Sequence, residues 1–211
     1  MRVIALANQK GGTGKSTIAI QCAVTLERLG HKAAVLDLDP QQSATWWYGL
    51  RDEAAKGPLV QSVSHGQLRA VLEALRQSGI AAVLLDLPGR HAPTVTEGIR
   101  DSDLVLIPTR VDGFDLKPSG DTIAAVLAAK KPYAFVLNLI EAKSVGEAQE
   151  TAKALESAGH AVAPTHIVRR KDIRMANEEG RGVIESAPKG KSATEMKKLA
   201  TWAMEFENNE H

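Results

Sequence analysis

Lys10-Gly11-Gly12-Thr13-Gly14-Lys15-Ser16-Thr17 follows the apolar run Val3-Ile4-Ala5-Leu6-Ala7 and precedes an apolar-periodic stretch from Ile18 to Leu29. Strand, glycine loop and helix in that order are what a phosphate-binding loop requires. Glycine lets the backbone turn sharply with its amides pointing inward. Those amides, with the positive end of the helix that follows, attract phosphate oxygens. Lys15 is expected to reach the β- and γ-phosphates and the Ser16 hydroxyl to ligate Mg²⁺. The strict pattern G-x-x-x-x-G-K-[ST] fails at one position, because Gln9 stands where the first glycine belongs. A second lysine, Lys10, occupies the mouth of the loop. A glycine-rich turn with no ligand is the plain alternative, and the flanking strand and helix patterns argue against it.

Downstream, Ala33-Ala34-Val35-Leu36-Asp37-Leu38-Asp39-Pro40-Gln41 is an apolar strand ending in two aspartates and a proline. Ala81-Ala82-Val83-Leu84-Leu85-Asp86-Leu87-Pro88-Gly89 is another, ending in one aspartate. In open parallel sheets, ligands bind beyond the carboxyl ends of the strands. Acidic residues there hold Mg²⁺, usually through water, because the ion dehydrates reluctantly. An aspartate after a strand also caps turns and helices, so each motif alone admits both readings. The lysine-rich loop upstream favours the first.

The loop, the Asp37-Leu38-Asp39-Pro40-Gln41 segment and the Asp86 strand together resemble the deviant-Walker P-loop ATPases of the ParA/MinD superfamily. The short ParA-type partition ATPases are the nearest form. Ser102-Asp103-Leu104-Val105-Leu106-Ile107-Pro108 is similar to that family's fifth-strand segment, and Phe135-Val136-Leu137-Asn138 to its adenine-side strand, so the resemblance covers nearly the whole chain. It implies ATP and Mg²⁺ as cofactors. Gly11, Gly12, Thr13, Gly14, Lys15, Ser16 and Thr17 would cradle the phosphates, and Asn138 would contact adenine. Ser16 and Asp86 would hold Mg²⁺ directly and through water, with Asp37 near the metal's water shell. Asp39 would position the attacking water. Lys10 would reach the nucleotide of the other subunit in an ATP-bound homodimer. Family members often carry two prolines after the strand's aspartate, whereas here the second is Gly89, followed by Arg90 and His91.

The chain has 211 residues, a length suited to one domain spanning 1–211. Its formal charge of +1 imposes no global field that demands nucleic acid or membrane. The single cysteine, Cys22, precludes an internal disulfide and an iron–sulfur cluster, and its neighbours Ile18, Ala19, Ala23 and Leu26 suggest a buried small hydrophobe. No apolar run approaches the ~20 residues of a membrane span. The first strand begins almost at once, so neither a leader nor an N-terminal DNA-binding domain is expected. A single cysteine fits a reducing cytoplasm, and the family resemblance implies association with the nucleoid.

Apolar runs predict strands near 2–8, 33–38, 59–63, 80–86, 103–108, 133–139 and 161–167. Helices are expected near 15–29, 42–55, 66–78, 94–100, 117–130, 145–158, 171–179 and 191–207. The alternation describes an α/β fold: three layers, a mostly parallel twisted sheet with helices on both faces.

Charge is unevenly placed. Residues 160–200 carry nine Lys or Arg against five acids, while 1–159 balance. Arg169, Arg170, Lys171, Arg174, Lys189 and Lys191 are the candidates for non-specific DNA contacts, which the family resemblance implies in this region. Such contacts act by releasing counterions at phosphates. A solvated helix start serves as well for any one of them, and those near 169–174 could instead face nucleotide or a dimer partner. Met196, Leu199, Ala203 and Phe206, with Trp202 beside them, make an apolar stripe that ends in Glu205-Phe206-Glu207 rather than in basic residues. That reads as a helix packed on the domain, not a membrane anchor. Trp46 and Trp47 receive no role.

The expected activity is slow ATP hydrolysis by a protein that dimerises on ATP, binds DNA and positions plasmid, chromosome or other large cargo. A cargo-bound ParB-like protein would stimulate it, with no membrane partner. A P-loop ligase resembling dethiobiotin synthetase, a MinD-like spatial regulator and a nucleotide-gated scaffold are the alternatives.

Overall fold

The computed structural model describes residues 1–89, 93–111 and 116–207, with backbone alone at 116–119. Strands β1 (Arg2–Leu6), β2 (Ala33–Asp37), β3 (Leu59–Ser62), β4 (Ala82–Asp86), β5 (Leu104–Thr109) and β6 (Tyr133–Leu137) form one sheet. Their order is β3-β2-β4-β1-β5-β6, and every pairing is parallel. Parallel strands need crossovers, and here helices supply them. They are α1 (Lys15–Arg28), α2 (Ser43–Gly49), α3 (Leu68–Gln77), α4 (Pro93–Asp101) and α5 (Leu116–Ala128), and α6 (Val145–Ser157) follows β6. The chain closes with α7 (Lys171–Glu178), α8 (Val183–Ser186) and α9 (Lys191–Glu205).

The continuous apolar strands predict a sheet covered on both faces, and the packing has that form. Side chains alternate across β1: Ile4 and Leu6 join α1, α2, α7, α8 and α9 on one face, while Val3 and Ala5 join α3, α4, α5 and α6 on the other. Fully burying a Leu or Ile side chain contributes about 1.5–3 kcal/mol, so both faces act as cores. Cys22 is buried on α1, and burial pushes its thiol up to about 12. The α9 stripe of Met196, Leu199 and Ala203 lies in the first core, and the Trp202 and Phe206 rings meet edge to face at 5.0 Å.

Two expectations differ from the structure. The predicted strand at 161–167 is present only as isolated parallel bridges, Phe135 to Val162 and Ile140 to Val168. Ala163 donates to the Phe135 carbonyl and Ile167 to that of Leu137, so four steps of one chain span two of the other. Pro164, which has no N–H, lies in the excess and interrupts the ladder. The helix expected over 42–55 stops at Gly49. There the Arg51 side chain turns back onto the Lys56 and Gly57 carbonyls, and Asp52 caps a separate turn at Ala54.

Candidate nucleotide site

Register brings the two acidic motifs together. Asp86 pairs with Leu6 on one side and with Asp37 on the other, so the C-terminal ends of β1, β4 and β2 lie side by side. The glycine loop leaves β1 at that edge. Gly12 and Gly14 take φ of 72° and 89°, the left-handed region where a side chain is strained. Asn8 anchors the turn: its Oδ1 accepts the Lys10 amide at 2.9 Å, and its Nδ2 donates to the Pro108 carbonyl at 2.8 Å. Thr122 Oγ1 accepts the Gln9 amide at 3.3 Å. Neither Asn8 nor Thr122 was legible in the sequence, because the bonds that tie the loop to Pro108 and to Thr122 join residues about a hundred positions apart.

Lys15 is buried at the start of α1, and burial lowers its pKa against the pull of Asp86 and Asp39. Asp86 is fully buried, and neither of its carboxylate oxygens has a hydrogen-bond partner among the described residues. Burial raises its pKa to about 7; the charges of Asp37 and Asp39 add to this, while nearby Ser16 and Lys15 pull it down. Ser16 stands close enough to exert that pull without reaching hydrogen-bond geometry. An unpartnered buried carboxylate is costly, and with a hydroxyl beside it the pair forms a set of hard oxygen donors suited to Mg²⁺.

Asp37 is placed differently. Its Oδ2 accepts the Thr45 amide at 2.8 Å and the Thr45 hydroxyl at 3.0 Å, and its Oδ1 accepts the Asp39 amide at 3.2 Å. It thus satisfies an N-terminal amide of α2, which lacks a cap of its own. Asp39 is half-buried, with Oδ1 accepting the Gln41 amide at 2.9 Å. Gly89 lies over the lysine: a Cβ there would stand 3.3 Å from Lys15 Nζ. Arg90 and His91 lie outside the described residues.

Asn138 follows β6 directly and reaches the loop. Its Nδ2 donates to the Thr13 carbonyl at 2.7 Å and fills the space where a Cβ on Gly14 would stand. Beside it opens a cavity of about 620 Å³ whose walls include Thr17, Ile167, Val168 and Ile173, a size suited to a small-molecule ligand. Arg169, Arg170, Lys171 and Arg174 also line this cavity, whereas Lys189 and Lys191 do not. Arg170 is spent inside the subunit, forked onto Glu195 at 2.7 and 2.8 Å. Arg169 meets Glu141 at 3.3 Å and Arg174 meets Glu178 at 2.8 Å, both exposed pairs of little energetic weight. Ser192 donates to Asp172 at 2.8 Å, tying the start of α9 to that of α7, so Lys171 and Lys191 each open one of two joined helices.

Two clamps fix these helices to the site, and the sequence signalled neither. Gln21, buried on α1, donates to Asn177 at 2.7 Å and accepts the Val183 amide at 2.7 Å. Arg51, just past α2, forks onto Glu185 at 2.9 and 2.8 Å, donates to the Gly180 carbonyl, and lies 5.3 Å from the Trp47 ring centre.

Comparison with known proteins points the same way. Residues 4–183 match the family model described as the CobQ/CobB/MinD/ParA nucleotide binding domain. The chain is 29% identical to the chromosome-partitioning ATPase Soj of Thermus thermophilus, over 97% of this chain and 96% of that protein. It is 30% identical to maintenance of carboxysome distribution protein A of Gloeobacter kilaueensis, over 92% of this chain and 88% of the relative. A substituted McdA of Cyanothece, solved in complex with ATP, has the same fold, with a TM-score of 0.71 at 17% identity over 100% of this chain and 99% of that one.

Proposed function

Because this chain belongs to the CobQ/CobB/MinD/ParA nucleotide-binding family, we propose that it is a ParA-like, Mg²⁺-dependent ATPase that dimerises on ATP, binds DNA without sequence preference and positions large cargo. The observation that carries the catalytic part is the orphaned Asp86 carboxylate beside Ser16 and Lys15. When bound, Mg²⁺ supplies neutralisation of phosphate charge. Ser16 and Asp86 hold it. Asp37, committed to Thr45 and the Asp39 amide, serves the metal's surroundings by its charge and by fixing its neighbours.

The amides of Gly11 to Thr17 and the α1 dipole hold the phosphates, with Lys15 as their buried cation. Asp39 orients a water whose oxygen bonds to the γ-phosphorus as the bridge to the β-phosphate breaks, giving ADP and phosphate. Lys10 serves the nucleotide held by a second copy. Asn138, its amide nitrogen turned to Thr13, offers its oxygen to the base.

Lys171 and Lys191 support the DNA reading. Each puts a cation at the positive end of a helix, where the dipole disfavours it and a phosphate would offset the cost. Arg169, Arg174 and Lys189 add exposed charge, while Arg170 contributes by holding α7 to α9. Chromosome partitioning and carboxysome distribution, named for the two relatives, support cargo positioning. In this reading a cargo-bound ParB-like protein stimulates the cycle, which runs in the cytoplasm on the nucleoid.

ATP titration and turnover test the enzyme. Wild type is expected to hydrolyse ATP slowly, Lys15→Ala to bind none, and Asp39→Ala to bind ATP yet lose roughly a hundredfold in rate. Wild-type turnover by Asp39→Ala would remove its role, and Mg²⁺-independent ATP binding by the wild type would remove the proposed function.

A further inference from the structure

Trp46 and Trp47 are neighbours on α2 with opposite fates: Trp47 is 1% exposed and Trp46 63%. The burial of Trp47 under Arg51 and the bond from Thr45 to Asp37 fix the helix, so the Trp46 indole projects from a rigid support. It lies where two cavities meet. One, of about 390 Å³, includes Ser16, Thr17 and Gln41 at the phosphate end. The other, of about 620 Å³, includes Thr17, Asn138 and the aliphatic wall of Ile167, Val168 and Ile173, with Trp46 as its only aromatic side chain among the described residues.

From this placement we propose that Trp46 positions the nucleoside by stacking on the base, a step that rests on the nucleotide reading of the site. A base is flat and has two faces. The aliphatic wall suits one, Asn138 stands at the edge, and Trp46 is the ring available to the other. An indole carried on a fixed helix is pre-organised, so little ordering opposes the stack. Stacking depends on the π-face rather than on a hydrogen-bond pattern, so the residue contributes affinity without choosing between bases.

Calorimetric titration of the full chain with Mg-ATP and with inorganic tripolyphosphate, which has no base, separates the roles. Trp46→Ala is expected to weaken Mg-ATP roughly ten- to a hundredfold, to leave tripolyphosphate unchanged, and to regain most of the loss as Trp46→Phe. ATP should quench the wild-type tryptophan emission and not that of Trp46→Phe, which retains Trp47 and Trp202. Equal ATP affinity in Trp46→Ala and wild type overturns the proposal, and so does an equal loss for both ligands, which would make the indole a support of the loop. Unchanged ATP affinity with loss of an ATP-dependent rise in mass overturns it in favour of a contact with a second copy. A wild type that binds neither ligand removes the nucleotide reading, and the proposal with it.

Discussion

At Gly14 two constraints meet at one Cα. Its φ of 89° costs any L side chain about 1–2 kcal/mol. A methyl there would also overlap the Asn138 amide, which could clear it only by leaving the Thr13 carbonyl. Gly14→Ala is therefore expected to lose at least tenfold in ATP affinity, measured by titration. Shortening the obstacle as well, in Gly14→Ala with Asn138→Gly, relieves the overlap but not the backbone strain, so full recovery in the double variant would show that strain is unimportant. Asp86 shows the opposite economy. Among the described residues the fold leaves this carboxylate without partners at the point where a cation is wanted, and hydrogen bonds to both oxygens would have stabilised the chain at the expense of the site.

Between elements, Glu185 does the joining. Burial alone would raise its pKa, but the bonds from Arg51, the Gly182 amide and Arg28 outweigh it and bring the carboxyl down to about 2. The pair with Arg51 is nearly closed to solvent, at 3% and 5% side-chain exposure. Removing one partner of such a pair costs about 3–5 kcal/mol, so Glu185→Gln is expected to melt on the order of 10 °C lower. Because the folded pKa lies below the unfolded value of about 4.5, the carboxylate's contribution is complete above pH 4.5 and fades as pH falls toward 2. The acid limb of the wild-type stability curve should therefore converge on that of Glu185→Gln, as followed by urea unfolding at successive pH values. A constant gap down to pH 2 would contradict the pairing.

Across the whole molecule, the sheet order sets where the chemistry happens. From β1 the chain runs out to β2 and β3, returns to β4 beside β1, and then passes to β5 and β6 on the far side. The reversal opens a crevice at the carboxyl ends of β4, β1 and β5, the place where open α/β sheets bind ligands. Assembly belongs to the same scale. A monomer with a handful of basic residues makes few phosphate contacts, and two copies double them. Since log K falls by roughly 0.9 per neutralised phosphate per decade of salt, the ATP-bound form is expected to bind duplex DNA tightly at low salt, with about twice the monomer's salt slope. Reversing Lys189 and Lys191, which lie outside the nucleotide cavity, to Glu should remove DNA retention and spare basal ATPase. DNA binding equal with and without ATP would break the link to dimerisation.

The sequence by itself determined the loop, the strands that end in Asp37 and Asp86 with Asp39 just beyond the first, and the three-layer architecture, because these follow from local periodicity and from glycine and lysine chemistry within a few residues. It predicted the burial of Cys22 and of the α9 stripe for the same reason. Tertiary structure alone decided the rest. Adjacent tryptophans with the same local preferences were divided by the packing of α2 into a core residue and a cavity wall. Asp37 and Asp86, equivalent as strand-ending acids, were divided by Thr45, which satisfies one and leaves the other bare. Arg170 was drawn from a run of basic residues into an ion pair with Glu195. The tryptophans depend on which surface packs over the helix, Asp37 on a threonine in the next element, and Arg170 on a carboxylate 25 residues on, and no pattern within the strand or helix itself encodes those arrivals.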